Sequence, residues 1–177
     1  SAAIDGKLYT SMGVDPATAY AIHSNENSKS GQISPKGALH EWQVTLGTAQ
    51  TYGFTEQQWR NPKLSKTIAS TILQDLEEQF PNRPDLVLAG YFSGPNNINK
   101  QTMTIIDPTR RAIVNGVPIG PTVQQYVADG MAKYNQYHQQ QQASNQQGQQ
   151  AQVAPPTAAS IPAQAAAYRA QQQGLPT

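Results

Sequence analysis

The sequence predicts a mainly α-helical fold with one small β-hairpin and an extended C-terminal tail. Three observations carry this. Apolar residues recur at helical spacing in several segments between Asp15 and His138. Asn115-Gly116 stands inside the short apolar run "AIVNGVPI", the signature of a two-residue hairpin turn. Beyond His138 the composition turns to Gln, Ala and Pro, and no carboxylate follows Asp129.

Asp15-Pro16 reads as a helix start, with Asp at the N-cap and Pro in the first turn. The helix "PATAYAIHSNE" follows, with Ala17, Tyr20, Ala21 and Ser24 on one face. The stretch "NENSKSGQISPKGALHEWQ" (25–43) is polar and carries Gly and Pro, so it reads as a loop opening out of that helix. "GALHEWQVTLGTAQTYG" reads as one or two short helices closed by Gly53. "LSKTIASTILQDLEEQF" is the clearest helix, because Leu64, Ile68, Ile72, Leu76 and Phe80 keep the helical period and Pro81 ends it. "PDLVLAGYFSG" is nearly all apolar and short, as a buried central helix would be. The span 96–120 lacks a clear period apart from the hairpin. "PTVQQYVADGMAKYNQYH" is the last helix, with Val123, Tyr126, Val127, Met131 and Tyr134 inward. Residues 1–138 therefore read as one globular domain. Residues 139–177 read as a tail, disordered alone or ordered on a partner, with "AAAYRAQQQ" as one short helix in it.

Composition excludes several function classes. A net charge of +1 gives no field that would draw nucleic acid or an anionic membrane. The absence of cysteine excludes a disulfide framework, a thiolate zinc site and a Cys nucleophile. No apolar run approaches the roughly 20 residues of a membrane span. The first residues lack the apolar core of a signal peptide, so the expectation is a signal already removed or another route of export. His40 and His138 do not stand at metal-ligand spacing from carboxylates, so neither a metal nor a cofactor is expected. No orienting Asp is placed for a Ser-His triad around His23.

Glu26 ends a helix where the polar loop begins. By position alone it is a solvated carboxylate that the helix dipole slightly disfavours. Six segments, in order, alter that reading: "AIHSNE", "SPKGAL", "EWQVTLGTAQTYG", "NPKLSKTIASTILQDLEEQF", "LAGYFSGP" and "YVADGMAKYNQY". Together they resemble the goose-type-lysozyme-like lytic transglycosylases, which cleave peptidoglycan glycan strands, over roughly residues 10–138. The chain departs from the family pattern at Asn27 (usually Ser), His40 (usually Gly) and Phe92 (usually Asn), and its loop from Glu26 to Ser34 is one residue short.

The resemblance implies a lysozyme-like helical domain with Glu26 as the catalytic acid. In that family one Glu protonates the leaving oxygen and then, as base, takes the proton of the sugar's 6-hydroxyl, so a 1,6-anhydro-muramyl end forms without water. Such a Glu needs a partly apolar setting that keeps it protonated. Tyr91 and Tyr126 are either walls of that setting or plain core packing, and the resemblance puts the Tyr91 hydroxyl beside the acid. Ser34 and Gln43 are candidates to bond N-acetyl groups and sugar oxygens. Glu41 is either an exposed helix residue or a second carboxylate across the cleft, which would make the reaction a hydrolysis. Trp42 and His23 read as packing residues.

The implied substrate is the MurNAc-GlcNAc bond of peptidoglycan. The Gln/Ala/Pro tail suits docking on a larger assembly, so the expectation is an enzyme of a bacteriophage virion that opens the wall locally for genome entry. A bacterial periplasmic enzyme is the nearest competitor. From another class, the departures at Asn27, His40 and Phe92 fit a structural virion or ejection protein with weak or no activity.

Overall fold

The computed structural model describes residues 3–27 and 37–152. The chain forms two compact units, Ser1–Gln139 and Gln140–Thr177. The first is mainly helical, with three small antiparallel strand pairs among its described residues.

Helix α1 (Gly6–Thr10) starts on an Asp5 cap. Helix α2 (Pro16–Glu26) starts where Asp15-Pro16 predicts: the Asp15 carboxylate accepts from the Ala17 N–H and the Thr18 hydroxyl. Its burial is wider than the predicted stripe, since Ala17, Thr18, Ala19, Ala21, Ile22 and His23 are all buried. Small side chains let neighbouring elements approach α2 from several directions.

Strands β1 (Ala38–Leu39) and β2 (Val44–Thr45) pair antiparallel where the sequence predicts helix. The turn between them puts His40 (φ 64°) and Gln43 (φ 50°) in the left-handed region, which a helix cannot contain. The gain that outweighs helix propensity is tertiary. Trp42, 1% exposed, stacks on the His23 ring at 4.5 Å. Helix α3 (Leu46–Thr51) follows, capped by Thr45. Helix α4 (Glu56–Arg60) opens with a Thr55/Gln58 capping box, and its Trp59 indole donates to the Val44 carbonyl at 2.8 Å.

After a 3-10 turn (Pro62–Leu64), helix α5 (Ser65–Gln79) buries the predicted stripe of Ile68, Ile72 and Leu76, adding Ala69 and Leu73. Each of these Ile and Leu side chains contributes about 1.5–3 kcal/mol on leaving water. Helix α6 (Pro84–Ser93) buries Leu86 to Gly90, as its apolar sequence predicts. A Cβ on Gly90 would stand 2.9 Å from Leu76 Cδ2, so α5 fills the space beside that glycine.

Strands β3 (Ile98–Asn99) and β4 (Thr104–Ile105) pair next. The predicted hairpin follows as β5 (Ala112–Val114) and β6 (Val117–Ile119), with Asn115 (φ 51°) and Gly116 (φ 77°) both left-handed at its turn. Helix α7 (Val123–Gln152) runs fourteen residues past the predicted end at His138. Gln and Ala are good helix formers, and no proline interrupts the run, so the backbone continues where composition suggested a tail. The predicted helix at 165–173 lies outside the described residues. No helix among the described residues is long and apolar enough to cross a membrane.

Candidate active site

Glu26 is the last residue of α2, and α7 holds it there. The Tyr126 hydroxyl donates to Glu26 Oε1 at 2.8 Å. Asn25, one residue earlier, donates from Nδ2 to the Tyr126 carbonyl at 3.2 Å and accepts from Lys133 Nζ at 2.6 Å. The last turn of α2 is thus bonded to α7 on successive residues. A close approach permits this. A Cβ on Gly130 would come within 2.7 Å of Leu88 Cδ2 and 3.3 Å of Asn25 Nδ2.

From α6, Phe92 lays its ring on Tyr126, with centroids 4.4 Å apart and planes 13° from parallel. Tyr126 is therefore fixed at both ends, by a stack on its ring and a bond at its hydroxyl. Tyr91, beside Phe92, donates its hydroxyl to the Trp42 carbonyl at 2.6 Å. Tyr126 donates to the acid, and Tyr91, which the resemblance puts beside it, feels the Glu26 charge while its hydroxyl ties α6 to the β1–β2 turn. Burial, and then the charge of Glu26, push both phenols well above their ordinary pKa. Both stay protonated and act as hydrogen-bond donors.

These residues face a cleft of about 730 Å³. Asn25, Glu26, Gln43, Tyr91 and Tyr126 line it, with Val44, Thr45, Thr48, Tyr52 and Phe92 along the walls. The hairpin supplies Ala112 and Ile119. The volume lies within the range of a small-ligand site, and the lining mixes apolar walls with a few polar groups. Gln43 commits one amide hydrogen to the His40 carbonyl at 2.7 Å, which fixes its side chain at the cleft edge.

The structure thus brings together four of the residues the sequence singles out: Glu26, Gln43, Tyr91 and Tyr126. Ser34 lies outside the described residues. Glu41 does not line the cleft. It sits in the β1–β2 turn, half exposed, with Oε2 3.4 Å from His23 Nε2. His23 receives the Tyr9 hydroxyl at Nδ1 (2.8 Å). Burial holds the Tyr9 phenol up at about 12, so the hydroxyl beside His23 Nδ1 keeps its proton. Burial also lowers the His23 pKa, with Glu41 partly opposing it.

Sequence reasoning missed Asn25, Thr48 and Tyr52. Tyr52 donates to Asp75 Oδ2, which fixes its ring on the wall. Thr48 and Tyr52 stand four residues apart, so helical spacing along α3 was a usable signal. The contribution of the hairpin had no local signal.

Residues 6–108, more than half of the chain, match the transglycosylase SLT domain. The chain belongs to that family. Its members' chemistry makes peptidoglycan the substrate class and transglycosylase-type cleavage the function class. The matched SLT region holds Glu26, Gln43 and Tyr91, whereas Tyr126, the hairpin and α7 lie beyond it. The donor to Glu26 therefore comes from outside the matched domain. No curated protein matches the chain.

Proposed function

We propose that the chain is a lytic transglycosylase that cleaves the MurNAc-GlcNAc bond with Glu26 as both acid and base. One observation carries the reading: within a family of peptidoglycan-cleaving domains, Glu26 is the one carboxylate among the described residues that line the cleft, held there by the Tyr126 hydroxyl.

The geometry supports the following steps. Glu26 gives its proton to the glycosidic oxygen, and the C1–O bond breaks with an oxocarbenium ion forming at C1. The Glu26 carboxylate then takes the proton of the muramyl 6-hydroxyl as that oxygen bonds C1. The proton is returned, no water is consumed, and the product is a 1,6-anhydro end. Tyr126 donates to Oε1 whether or not the carboxyl carries its proton, so Glu26 keeps its place through both transfers. Glu41, turned to His23, is not placed to activate a water in the cleft.

The decisive experiment digests purified sacculi and analyses the sugar ends by mass spectrometry. Anhydro-muramyl ends support the reading, and reducing ends overturn it. Phe92, which takes the place of the family's usual Asn, favours the rival reading of a structural virion or ejection protein with weak activity; absence of any released glycan would establish that rival. The Gln/Ala/Pro composition of residues 139–177 supports carriage on a phage particle, acting in the cell wall of the host. Antibody detection of the chain in purified virions tests this.

A further inference from the structure

A second cavity, of about 210 Å³, adjoins the cleft, and Phe92, Ser93 and Ala112 line both. Arg110, Arg111 and Val123 form its other walls. The loop that carries the two arginines is firmly held. Buried Asn97 donates to the Asp107 carbonyl at 3.1 Å and accepts from the Asp107 N–H at 3.0 Å. The Val123 N–H donates to the Arg110 carbonyl at 3.0 Å, and the Gln124 N–H to the Pro108 carbonyl at 2.9 Å. Arg111 Nε donates to the Gly120 carbonyl at 2.9 Å, across the base of the hairpin.

Among the described residues no carboxylate pairs with either guanidinium. Asp107, the nearest acid in sequence, accepts from the Thr109 hydroxyl. Two permanent cations on one cavity, with no carboxylate of the described residues between them, present forked donors to a carboxylate.

We propose that Arg110 and Arg111 form a subsite, at one end of the glycan cleft, for a carboxylate on the muramyl branch of the substrate. The inference rests on the peptidoglycan reading above. The muramyl sugar bears a lactyl group, either a free carboxylate or extended by a stem peptide with carboxylates of its own. N-acetylglucosamine bears none. The subsite distinguishes the two sugars by charge, and so sets which one lies beyond Phe92.

The test uses the full chain with Glu26→Gln, so that bound glycan is not cleaved. Binding is measured to intact sacculi, to strands stripped of stem peptides by an amidase, and to chitin oligomers. Arg110→Glu is the main variant, because the Arg110 side chain forms no hydrogen bond to the described residues; Arg110→Lys keeps the charge. We expect Arg110→Glu to weaken binding to carboxylate-bearing glycan by roughly tenfold or more, the scale of one charge-assisted bond. Affinity for chitin oligomers should shift by a much smaller factor, and Arg110→Lys should restore most of the loss. Loss on intact sacculi alone assigns the stem peptide, and loss on stripped strands as well assigns the lactyl group. Equal loss on all three glycans, or loss on none, overturns the subsite. Wild-type chain that binds but does not cleave would sink the transglycosylase reading and leave the subsite standing, whereas failure to bind any of the three would sink both.

Discussion

The Tyr126 hydroxyl meets Glu26 Oε1 at 2.8 Å, across 100 residues of chain. The same ring lies flat on Phe92. These two contacts separate what the ring does from what the hydroxyl does, and substitution can test them separately.

Tyr126→Phe keeps the ring and its stack and removes only the donor. Loss of one hydrogen bond costs about 1 kcal/mol of stability. Activity on sacculi should fall further, by roughly 10- to 100-fold, because a carboxyl that is no longer held spends less time in the productive position. Tyr91→Phe is the contrast. Its hydroxyl serves the Trp42 carbonyl, so it should cost stability with activity falling only in proportion. Activity and melting temperature measured on both variants decide the matter. Equal activity loss in the two would remove the special position of Tyr126.

Glu26→Gln keeps the shape of the side chain and loses the transferable proton. Activity should fall by about two to four orders of magnitude, the scale of general acid catalysis. Stability should hold, since the amide oxygen still accepts from Tyr126. Release of soluble muropeptides at near wild-type rate by this variant would end the proposed mechanism.

Much of the framework was legible because it is local. The stripe of α5, the apolar run of α6 and the Asn115-Gly116 turn each write their structure into a few neighbouring residues. The β1–β2 turn was not legible. Its backbone follows from Trp42 finding His23, a contact that no window of sequence contains. The same limit applies at the site. Glu26 could be named from the motif order around it, but whether Tyr91 or Tyr126 holds it depends on how α6 and α7 cross α2. The length of α7 was misjudged for another reason: its Gln residues lack an apolar stripe, yet they favour helical backbone well enough to continue it.

Gly130→Ala probes the crossing directly. The new methyl would stand 2.7 and 2.9 Å from the two Leu88 methyls, and Leu88 is fully buried, so its side chain must shift within the core. Overpacking costs about 1–3 kcal/mol, against a helix-propensity gain of about 1 kcal/mol for Ala over Gly. The net expectation is a loss of up to about 2 kcal/mol, with the melting point lower by roughly 4 °C for each kcal/mol lost. Asn25 is also crowded, so activity should fall beyond the stability loss. A melting point raised by the full propensity gain would show that α6 and α7 can separate without cost.

The His23–Glu41 pair predicts how the fold responds to acid. Burial holds the His23 pKa below its ordinary 6.5, so the folded chain prefers the neutral ring. The unfolded chain takes up a proton first as pH falls below about 6.5. Stability from this group is therefore complete above that value and declines until the folded-state pKa is passed, by at most about 1.4 kcal/mol per pH unit for one proton. The Glu41 carboxylate resists the lowering, and half exposed as it is, salt and solvent screen its effect. Glu41→Gln removes that help and lowers the folded-state pKa further. Melting curves of wild type and Glu41→Gln should change in parallel from pH 8 to about 6.5. They should separate below the wild-type folded-state pKa, where wild type protonates His23 in place and the variant must still unfold to do so. The gap should narrow in high salt. Curves that stay parallel down to the acid limit would mean that Glu41 does not shift the titration of His23 across the 3.4 Å contact.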